Sequence, residues 1–444
     1  MPTIRRTTTA LVLAAVLTAT AAMPAVASNS GANTGTSAAS AAAGKPSQPG
    51  QPGKPGKPGQ PGKPSKPGKP GQSKHDVRFA TYNASLNRAS EGQLMAGLST
   101  PENEQAQNIA EVIQINDPDV VLVNEFDYVP GGAAAEAFRD NYLATGQNGQ
   151  DPVDYPYYYT APVNTGVPSG LDLNQDGTVG GPDDAWGFGE FPGQYGMVVY
   201  SKYPIDTVAV RTFQNFRWQD MPDNEMPEDY YTDEQEQLLP LSSKSHWDVP
   251  VQVGNKTVHV LAAHPTPPSF DGPEDRNGRK NNDEIRFWSD YVSGGTTASY
   301  IYDDAGQTGG LPAGERFVVL GDYNSDPNDG DSYPGTIEQL LDNPRVNDPL
   351  PESEGGVEAA ARQGGLNAEH VSDPRYDTAD FTDDPGPGNL RADYVLPSDN
   401  MPLRDSGIFW PTPGEPGSEL TGEYPFPTSD HRLVWVDVKV PGRR

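Results

Sequence analysis

Polar residues that can bind metal ions or move protons stand at the ends of short apolar runs in the sequence. The full set is Asn83, Glu125, His264, Asp322, Asn324, Asp393, Asp430 and His431. Carboxylate oxygens suit hard cations such as Mg²⁺ and Mn²⁺. A carboxylate beside a histidine fixes the tautomer of its imidazole. Each residue alone could cap a turn, but together they predict a polar site that binds such a cation.

The apolar runs that carry these residues are predicted strands, with helices between them. The predicted strands are Val77–Ser85, Val120–Glu125, Met197–Ser201, Val249–Val253, Val258–His264, Phe317–Asn324, Asp393–Leu396 and Leu433–Val440. Apolar residues spaced by three and four predict helices over Glu104–Ile115 and Asp283–Tyr291. The alternation predicts one α/β domain over residues 75–444. Its long polar stretches are predicted loops around a site, at 165–195, 213–245, 265–283 and 351–390.

Two segments carry a resemblance to a known family. Gly321-Asp-Tyr-Asn324 and Ser429-Asp-His431, with Asn83 and Glu125 before them in the chain, resemble the endonuclease/exonuclease/phosphatase superfamily. That superfamily includes DNase I, exonuclease III-type nucleases, sphingomyelinases and inositol-polyphosphate 5-phosphatases, and the resemblance covers residues 77–440. It implies a DNase I-like four-layer αββα sandwich, with the site at one edge of two packed sheets. It also implies metal-dependent hydrolysis of phosphoesters.

The resemblance further implies which residues bind the metal ion. Glu125 matches the ligand of Mg²⁺ or Mn²⁺, helped by Asn83 and Asp430. Some members carry an acidic residue two positions after the first asparagine, where this chain has Ser85. The ion is therefore expected to have fewer protein ligands here.

The remaining matches concern water and phosphate. Asp322 matches the residue that orients or deprotonates the attacking water. Asn324 matches the amide that contacts the phosphate, and His431 the imidazole that stabilises it, with Asp393 directed toward that imidazole. His264 matches a second histidine, placed to protonate the leaving group.

Net charge bears on the substrate. Nine of the 31 basic residues precede residue 75, so residues 75–444 hold 61 acidic and 22 basic residues, a net charge of −39. Such a surface repels polyanions, which makes duplex nucleic acid an improbable tight ligand. The leading hypothesis is a divalent-metal-dependent phosphoesterase that acts on a small phosphomonoester or phosphodiester. The alternatives are an extracellular nuclease and a wall-associated binding protein that kept the fold without turnover.

Basic residues near His264 are candidates for binding the substrate phosphate. Arg276, Arg279 and Lys280 form the densest basic group of residues 75–444, and three cations in so acidic a domain suggest a phosphate clamp. Local ion pairs with neighbouring acidic residues are the alternative. Lys244 is a second candidate phosphate contact.

One segment resembles a calcium-binding loop. Oxygen-bearing side chains stand at its first, third, fifth, seventh and twelfth positions, with Gly177 at the sixth, and they are Asp172, Asn174, Asp176, Thr178 and Asp183. This spacing predicts a structural Ca²⁺ site. A plain turn rich in aspartate and asparagine is the alternative, because the twelfth residue is aspartate rather than glutamate.

The N-terminal residues predict export. Two arginines, an apolar stretch and an Ala-x-Ala pattern predict a signal peptide over residues 1–27. Residues 28–74 form a low-complexity, cationic linker in which proline recurs at every third position from Pro46 to Pro70, as in a polyproline rod. No later segment is apolar enough to span a membrane, and the chain has no cysteine. We therefore expect a protein that is secreted, extracellular or held at the cell wall by its linker.

Overall fold

The computed structural model describes residues 76–383 and 386–441. The predicted signal peptide (1–27) and linker (28–74) lie outside these residues and stay predictions. Among the described residues, no helix has the length and apolar character needed to cross a bilayer.

Every strand that the sequence predicts is present, and three more accompany them. The strands of the described residues are β1 (Asp76–Asn83), β2 (Val120–Asn124), β3 (Tyr157–Tyr159), β4 (Met197–Ser201), β5 (Arg211–Thr212), β6 (Trp247–Val253), β7 (Lys256–Ala262), β8 (Arg316–Asp322), β9 (Asp393–Pro397), β10 (Leu403–Ile408) and β11 (Val434–Lys439).

These strands form two sheets. The first has the order β10-β11-β1-β2-β4-β3 and the second the order β5-β6-β7-β8-β9. β1 and β2 are parallel, as are β7 and β8, and all other neighbours are antiparallel. The unpredicted strands β3, β5 and β10 all lie at sheet edges. Edge strands are short or solvated, and β10 is mostly exposed, so they lack the apolar pattern of a buried strand.

The two sheets pack face to face, because alternate residues of a strand point to opposite faces. In β1, Phe79 enters the core between the sheets, where it joins Val318 of β8. Its neighbour Ala80 faces the other way, into a core that includes Ile109. In β8, Val319 likewise faces away from the first sheet, into a third core. Three apolar layers therefore separate four layers of structure, which confirms the predicted αββα sandwich.

Helices cover the outer face of each sheet. The α-helices of the described residues are α1 (Gln93–Leu98), α2 (Glu104–Asn116), α3 (Ala133–Phe138), α4 (Asp233–Leu238), α5 (Arg276–Ser293), α6 (Glu338–Leu341), α7 (Glu354–Gln363) and α8 (Ser418–Thr421). The first three contribute to the core behind the first sheet, and α5 and α6 to the core behind the second.

The predicted loops are wrong in part, because three of them contain helix. Stretch 265–283 contains the first turns of α5, which begins at Arg276 rather than at Asp283. Stretch 213–245 contains α4, and 351–390 contains α7. Polar caps rather than apolar spacing mark these last two helices. Thr232 and Gln235 form a capping box before α4, and the Ser353 side chain caps α7.

Candidate active site

The site residues meet because strands of both sheets end at one edge of the sandwich. Asn83 is the last residue of β1 and Asp322 the last residue of β8. The Asn83 amide donates a hydrogen bond of 3.0 Å to Oδ2 of Asp322 and so links the two sheets. Asp393 is paired directly with Asp322 across β9 and β8. Residues that lie 239 and 310 positions from Asn83 in the chain thus share one cleft floor.

Glu125 and Asn324 both follow their strands in an unusual backbone conformation. Their φ angles are 55° and 51°, in the left-handed region that non-glycine residues seldom adopt. This conformation ends the extended backbone, so each of the two residues lies just beyond its strand. Strained residues of this kind cluster at functional sites.

The Glu125 carboxyl has an environment suited to a cation. Burial raises its pKa to about 7, while the charge of His431 and a hydrogen bond from Asn83 oppose that rise. The carboxylates of Asp430 and Asp322 contribute to the rise. A group of acidic oxygens that disfavour one another's charge is the arrangement that a divalent cation relieves.

His431 is held between two carboxylates. Its Nδ1 lies 2.8 Å from Oδ2 of Asp393, and its Nε2 lies 3.6 Å from Oδ2 of Asp322. The Thr378 hydroxyl donates a bond of 2.8 Å to the same Asp393 oxygen and fixes that carboxylate. Burial opposes a charge on His431, but Asp393 and Asp322 together raise its pKa well above the ordinary value. Both ring nitrogens of His431 therefore face carboxylate oxygens, an arrangement that favours the charged form of the imidazole.

His264 has surroundings that act in the opposite direction. Its Nε2 lies 3.3 Å from Oδ2 of Asp322, and its buried Nδ1 has no hydrogen-bond partner among the described residues. Burial, with the positive charges of Lys244 and His431, lowers the pKa of His264 well below the ordinary value. The pKa values of the two histidines that face Asp322 therefore move in opposite directions.

Three side chains of metal-binding type lie together around His431. Among the described residues, Asp322, Asp393 and His431 are the three acidic or histidine side chains whose ligand atoms lie within 4.8 Å of one another. Both ring nitrogens of His431 face the two aspartates, so these three side chains also form one polar network at the strand ends.

The candidate phosphate contacts fall into two groups. Lys244 and Lys280 are buried and line a cavity that opens beside Glu125 and His264. Arg276 also lines this cavity, but it forms an ion pair with Glu274.

Arg279 lies apart from them. It does not line the cavity, and it pairs with Glu225 at 3.3 Å. Pairing with a neighbouring acidic residue, the alternative for this basic group, therefore describes Arg276, whereas Arg279 pairs with a distant residue and Lys280 forms no ion pair among the described residues.

A sequence comparison assigns the family. The model of the endonuclease/exonuclease/phosphatase family matches residues 80–431. The chain belongs to that family. Members of the endonuclease/exonuclease/phosphatase family hydrolyse phosphoesters. No curated protein matches the chain.

Solved structures of the same family are similar to the chain at low identity. A family protein from Beutenbergia cavernae is 16% identical over 83% of this chain and 72% of its own, with a TM-score of 0.46. Sphingomyelinase C from Streptomyces griseocarneus is 17% identical over 82% of this chain and 99% of its own, with a TM-score of 0.39. Mannosyl-6-phosphatase from Bacteroides thetaiotaomicron is 12% identical over 82% and 99%, with a TM-score of 0.39.

In the calcium-like loop, the carboxylate that bonds the amides of the loop belongs to Asp184, the residue after the predicted Asp183. Asp172 and Asp176 accept hydrogen bonds from loop amides at 3.0 and 2.8 Å. The carboxylate that closes the loop is Asp184, which accepts from the amides of Leu173 at 2.6 Å and Gly180 at 2.8 Å. Asp183 instead lines the cavity beside the site. Because Pro182–Asp184 form a 3₁₀ turn, the side chain that faces the loop is that of Asp184 rather than that of Asp183.

Several positioning residues of this endonuclease/exonuclease/phosphatase site escaped the sequence reasoning. Thr378 orients Asp393, and no sequence signal marks it. Glu284 is buried on α5, where its two carboxylate oxygens accept from the amides of Ser243 at 2.7 Å and Thr266 at 2.6 Å. A signal existed for Glu284, because it lies four residues before Trp288 on the apolar face of the helix. An acidic residue on such a face needs a buried partner.

Proposed function

We propose that the chain is a secreted, divalent-metal-dependent phosphoesterase that hydrolyses a small phosphomonoester or phosphodiester. The observation that supports this most is the bond between Asn83 and Asp322 across the two sheets, with His264 and His431 on either side of Asp322. A water-orienting carboxylate, a positive imidazolium and a cation site thus face one cleft. Secretion rests on the sequence of residues 1–27.

The residues present fit Mg²⁺ or Mn²⁺. Glu125 and Asp430 offer carboxylate oxygens and Asn83 an amide oxygen, the ligand types of hard cations. Burial raises the pKa of Glu125 to about 7, and a cation beside this carboxylate would favour its charged form. When bound, such a cation neutralises negative charge on a phosphate oxygen.

The chain's own residues supply the remaining steps. Asp322 accepts bonds from the Asn83 amide and from the backbone N–H of Asn324, 3.0 Å each, which fix it beside the two histidines. A carboxylate held in this way can orient the attacking water and accept its proton. The His431 imidazolium is placed to stabilise charge that builds on the phosphate, together with the Asn324 amide.

His264 is placed to protonate the leaving group, with its Nε2 3.3 Å from Oδ2 of Asp322. Burial lowers the pKa of His264, and the positive charges of Lys244 and His431 lower it further. A bound anionic phosphoester would offset these two charges and so favour the protonated form that a leaving group needs.

A substrate panel tests the proposed function. The full-length protein is expected to hydrolyse 4-nitrophenyl phosphate or bis(4-nitrophenyl) phosphate with Mg²⁺ or Mn²⁺, and to degrade duplex DNA and RNA slowly or not at all. Faster cleavage of nucleic acid than of every small ester would instead establish the nuclease. Binding to cell-wall polymers without hydrolysis of any ester would establish the non-catalytic protein.

We further propose that the loop closed by Asp172, Asp176 and Asp184 holds structural Ca²⁺. A ligand at about 100 times its Kd stabilises the folded state by about 2.7 kcal/mol. Calcium is therefore expected to raise the melting temperature by several degrees in the wild type, but not in Asp172→Ala plus Asp176→Ala. The exposed pair Asp151→Ala plus Asp154→Ala is the control and should keep the calcium response. An unchanged wild-type melting temperature in calcium would remove the site.

A further inference from the structure

A cavity of about 470 Å³ extends from the catalytic residues between loops of both sheets. Glu125 and His264 form part of its lining at the site, and Lys244 and Lys280 line it as well. Cavities of about 300–1,000 Å³ are typical of small-molecule sites. The cavity therefore suits a compact group attached to the reacting phosphate.

Aromatic side chains supply much of the remaining wall. They are Trp186, Phe188, Tyr195, Tyr231 and Phe270. Phe188 and Phe270 are 54% and 89% exposed, which is unusual for side chains of this size. Two exposed phenyl rings beside one cavity provide apolar faces on which a flat ring can stack.

The cavity also contains two buried cations without carboxylate partners. Lys244 is 5% exposed and Lys280 is 8% exposed. Among the described residues, the Lys244 ammonium group makes no hydrogen bond or ion pair, and the Lys280 ammonium group makes one bond of 3.4 Å to the carbonyl oxygen of Trp186. Both oxygens of nearby Glu284 are already bonded to the amides of Ser243 and Thr266.

Unpaired cations at such depth require an explanation, because burying a charge without a partner is unfavourable. Burial lowers the pKa of both lysines, that of Lys280 to about 8. An anion between them would restore their ordinary charge. After burial, the charge of Glu284 is the first that acts on each lysine. Lys244 also interacts with Glu125 and Asp322 of the catalytic cleft, so the reacting phosphate can serve it. The further charge that acts on Lys280 is that of Lys244, and a second anion in the cavity would serve Lys280.

We propose that the cavity binds the non-reacting part of the substrate, an aromatic group that carries a second anion, and that Lys280 pairs with this anion. This inference rests on the proposed phosphoesterase function, which places the reacting phosphate beside Glu125 and His264. It narrows the substrate class to small aryl-type phosphoesters with an additional carboxylate or phosphate.

Calorimetry with matched ligands tests the inference. The full-length Asp322→Asn protein in Mg²⁺ is titrated with phenyl phosphates that bear a carboxylate or a neutral carboxamide in the meta or para position. A hydrogen bond to a charged group contributes enough for about a tenfold change in affinity or more. We expect at least one carboxylate isomer to bind at least about tenfold more tightly than its carboxamide.

Lysine variants test whether Lys280 is responsible for the preference for carboxylate ligands. The preference for carboxylate over carboxamide is expected to disappear in Lys280→Met. It should persist in the control Lys202→Met, whose lysine pairs with Asp117 at 2.8 Å near the start of β2, at the opposite end from Glu125. Equal affinities for both ligands in the unmutated cavity would overturn the inference. A preference that survives in Lys280→Met, or no binding of any aryl phosphate, would also overturn it.

Phe188 and Phe270, the two most exposed aromatic residues of the cavity, can be replaced without changing a buried residue. Stacking contributes enough for about a three- to tenfold change in affinity. Phe188→Ala plus Phe270→Ala is expected to weaken phenyl phosphates by about that factor relative to methyl phosphate. Equal weakening of both ligands would contradict stacking.

The phosphoesterase function and the role of the cavity can be rejected independently. Metal-dependent hydrolysis by the wild type without any carboxylate preference rejects the cavity inference alone. Carboxylate preference without hydrolysis of any ester rejects the phosphoesterase alone.

Discussion

Glu125→Ala is expected to lower turnover by about 10²–10³-fold, the usual effect of losing one electrostatic contact to the reacting group. Burial raises the pKa of the Glu125 carboxyl to about 7, and Asn83, Asp430 and Asp322 are close enough to affect it. On the proposed function, its removal would deprive the divalent cation of a carboxylate ligand. The measurement is kcat for the best ester of the panel at saturating Mg²⁺ or Mn²⁺.

The control for this prediction is a glutamate far from the chemistry. Glu358 lies on the surface of α7, where it pairs with Arg362 at 3.2 Å. Exposed pairs of this kind contribute little to stability. Glu358→Ala should therefore keep wild-type turnover, and both variants should keep the wild-type circular dichroism spectrum. Wild-type turnover in a folded Glu125→Ala protein would reject the metal-ligand role.

His431→Ala is the second variant with a large expected effect, again about 10²–10³-fold in turnover. The Nε2 of His431 lies 3.6 Å from Oδ2 of Asp322, and the charges of Asp393 and Asp322 raise the pKa of this imidazole. Its loss removes the positive group nearest the water-orienting carboxylate. Asp393→Asn is expected to lower turnover as well, because the histidine then loses its main counter-charge.

The fold contains a second Asp–His pair that serves as the matched control. Nδ1 of His259 lies 2.7 Å from Oδ1 of Asp248, across β6 and β7. His259→Ala should keep wild-type turnover even if it lowers the melting temperature. Equal loss of turnover in His259→Ala and His431→Ala would mean that the loss reflects stability rather than chemistry.

Much of this site could be predicted because strand ends are readable in the sequence. Apolar runs locate the strands, and the polar residue after each run marks the edge where the sheets meet. Parallel β1 and β2 bring Asn83 beside Asn124, the residue before Glu125, and the pairing of β8 with β9 brings Asp322 beside Asp393.

Other features depend on contacts that the local sequence does not record. Arg279 is paired with Glu225, which lies 54 residues away, so its charge could not be assigned from its neighbours. The first turns of α5 are polar because they line a cavity, and therefore they lack the apolar spacing that marks a helix. The pKa of His431 is raised and that of His264 is lowered because the two rings have different neighbours, which the local sequence does not show.

The most direct test of the central claim is a metal add-back assay on the full-length wild-type protein. EDTA is expected to abolish hydrolysis of the best small ester, and Mg²⁺ or Mn²⁺ is expected to restore it, while the Asp322→Ala protein stays inactive throughout. Full activity in EDTA, or in a folded Asp322→Ala protein, would contradict metal-dependent hydrolysis at this cleft.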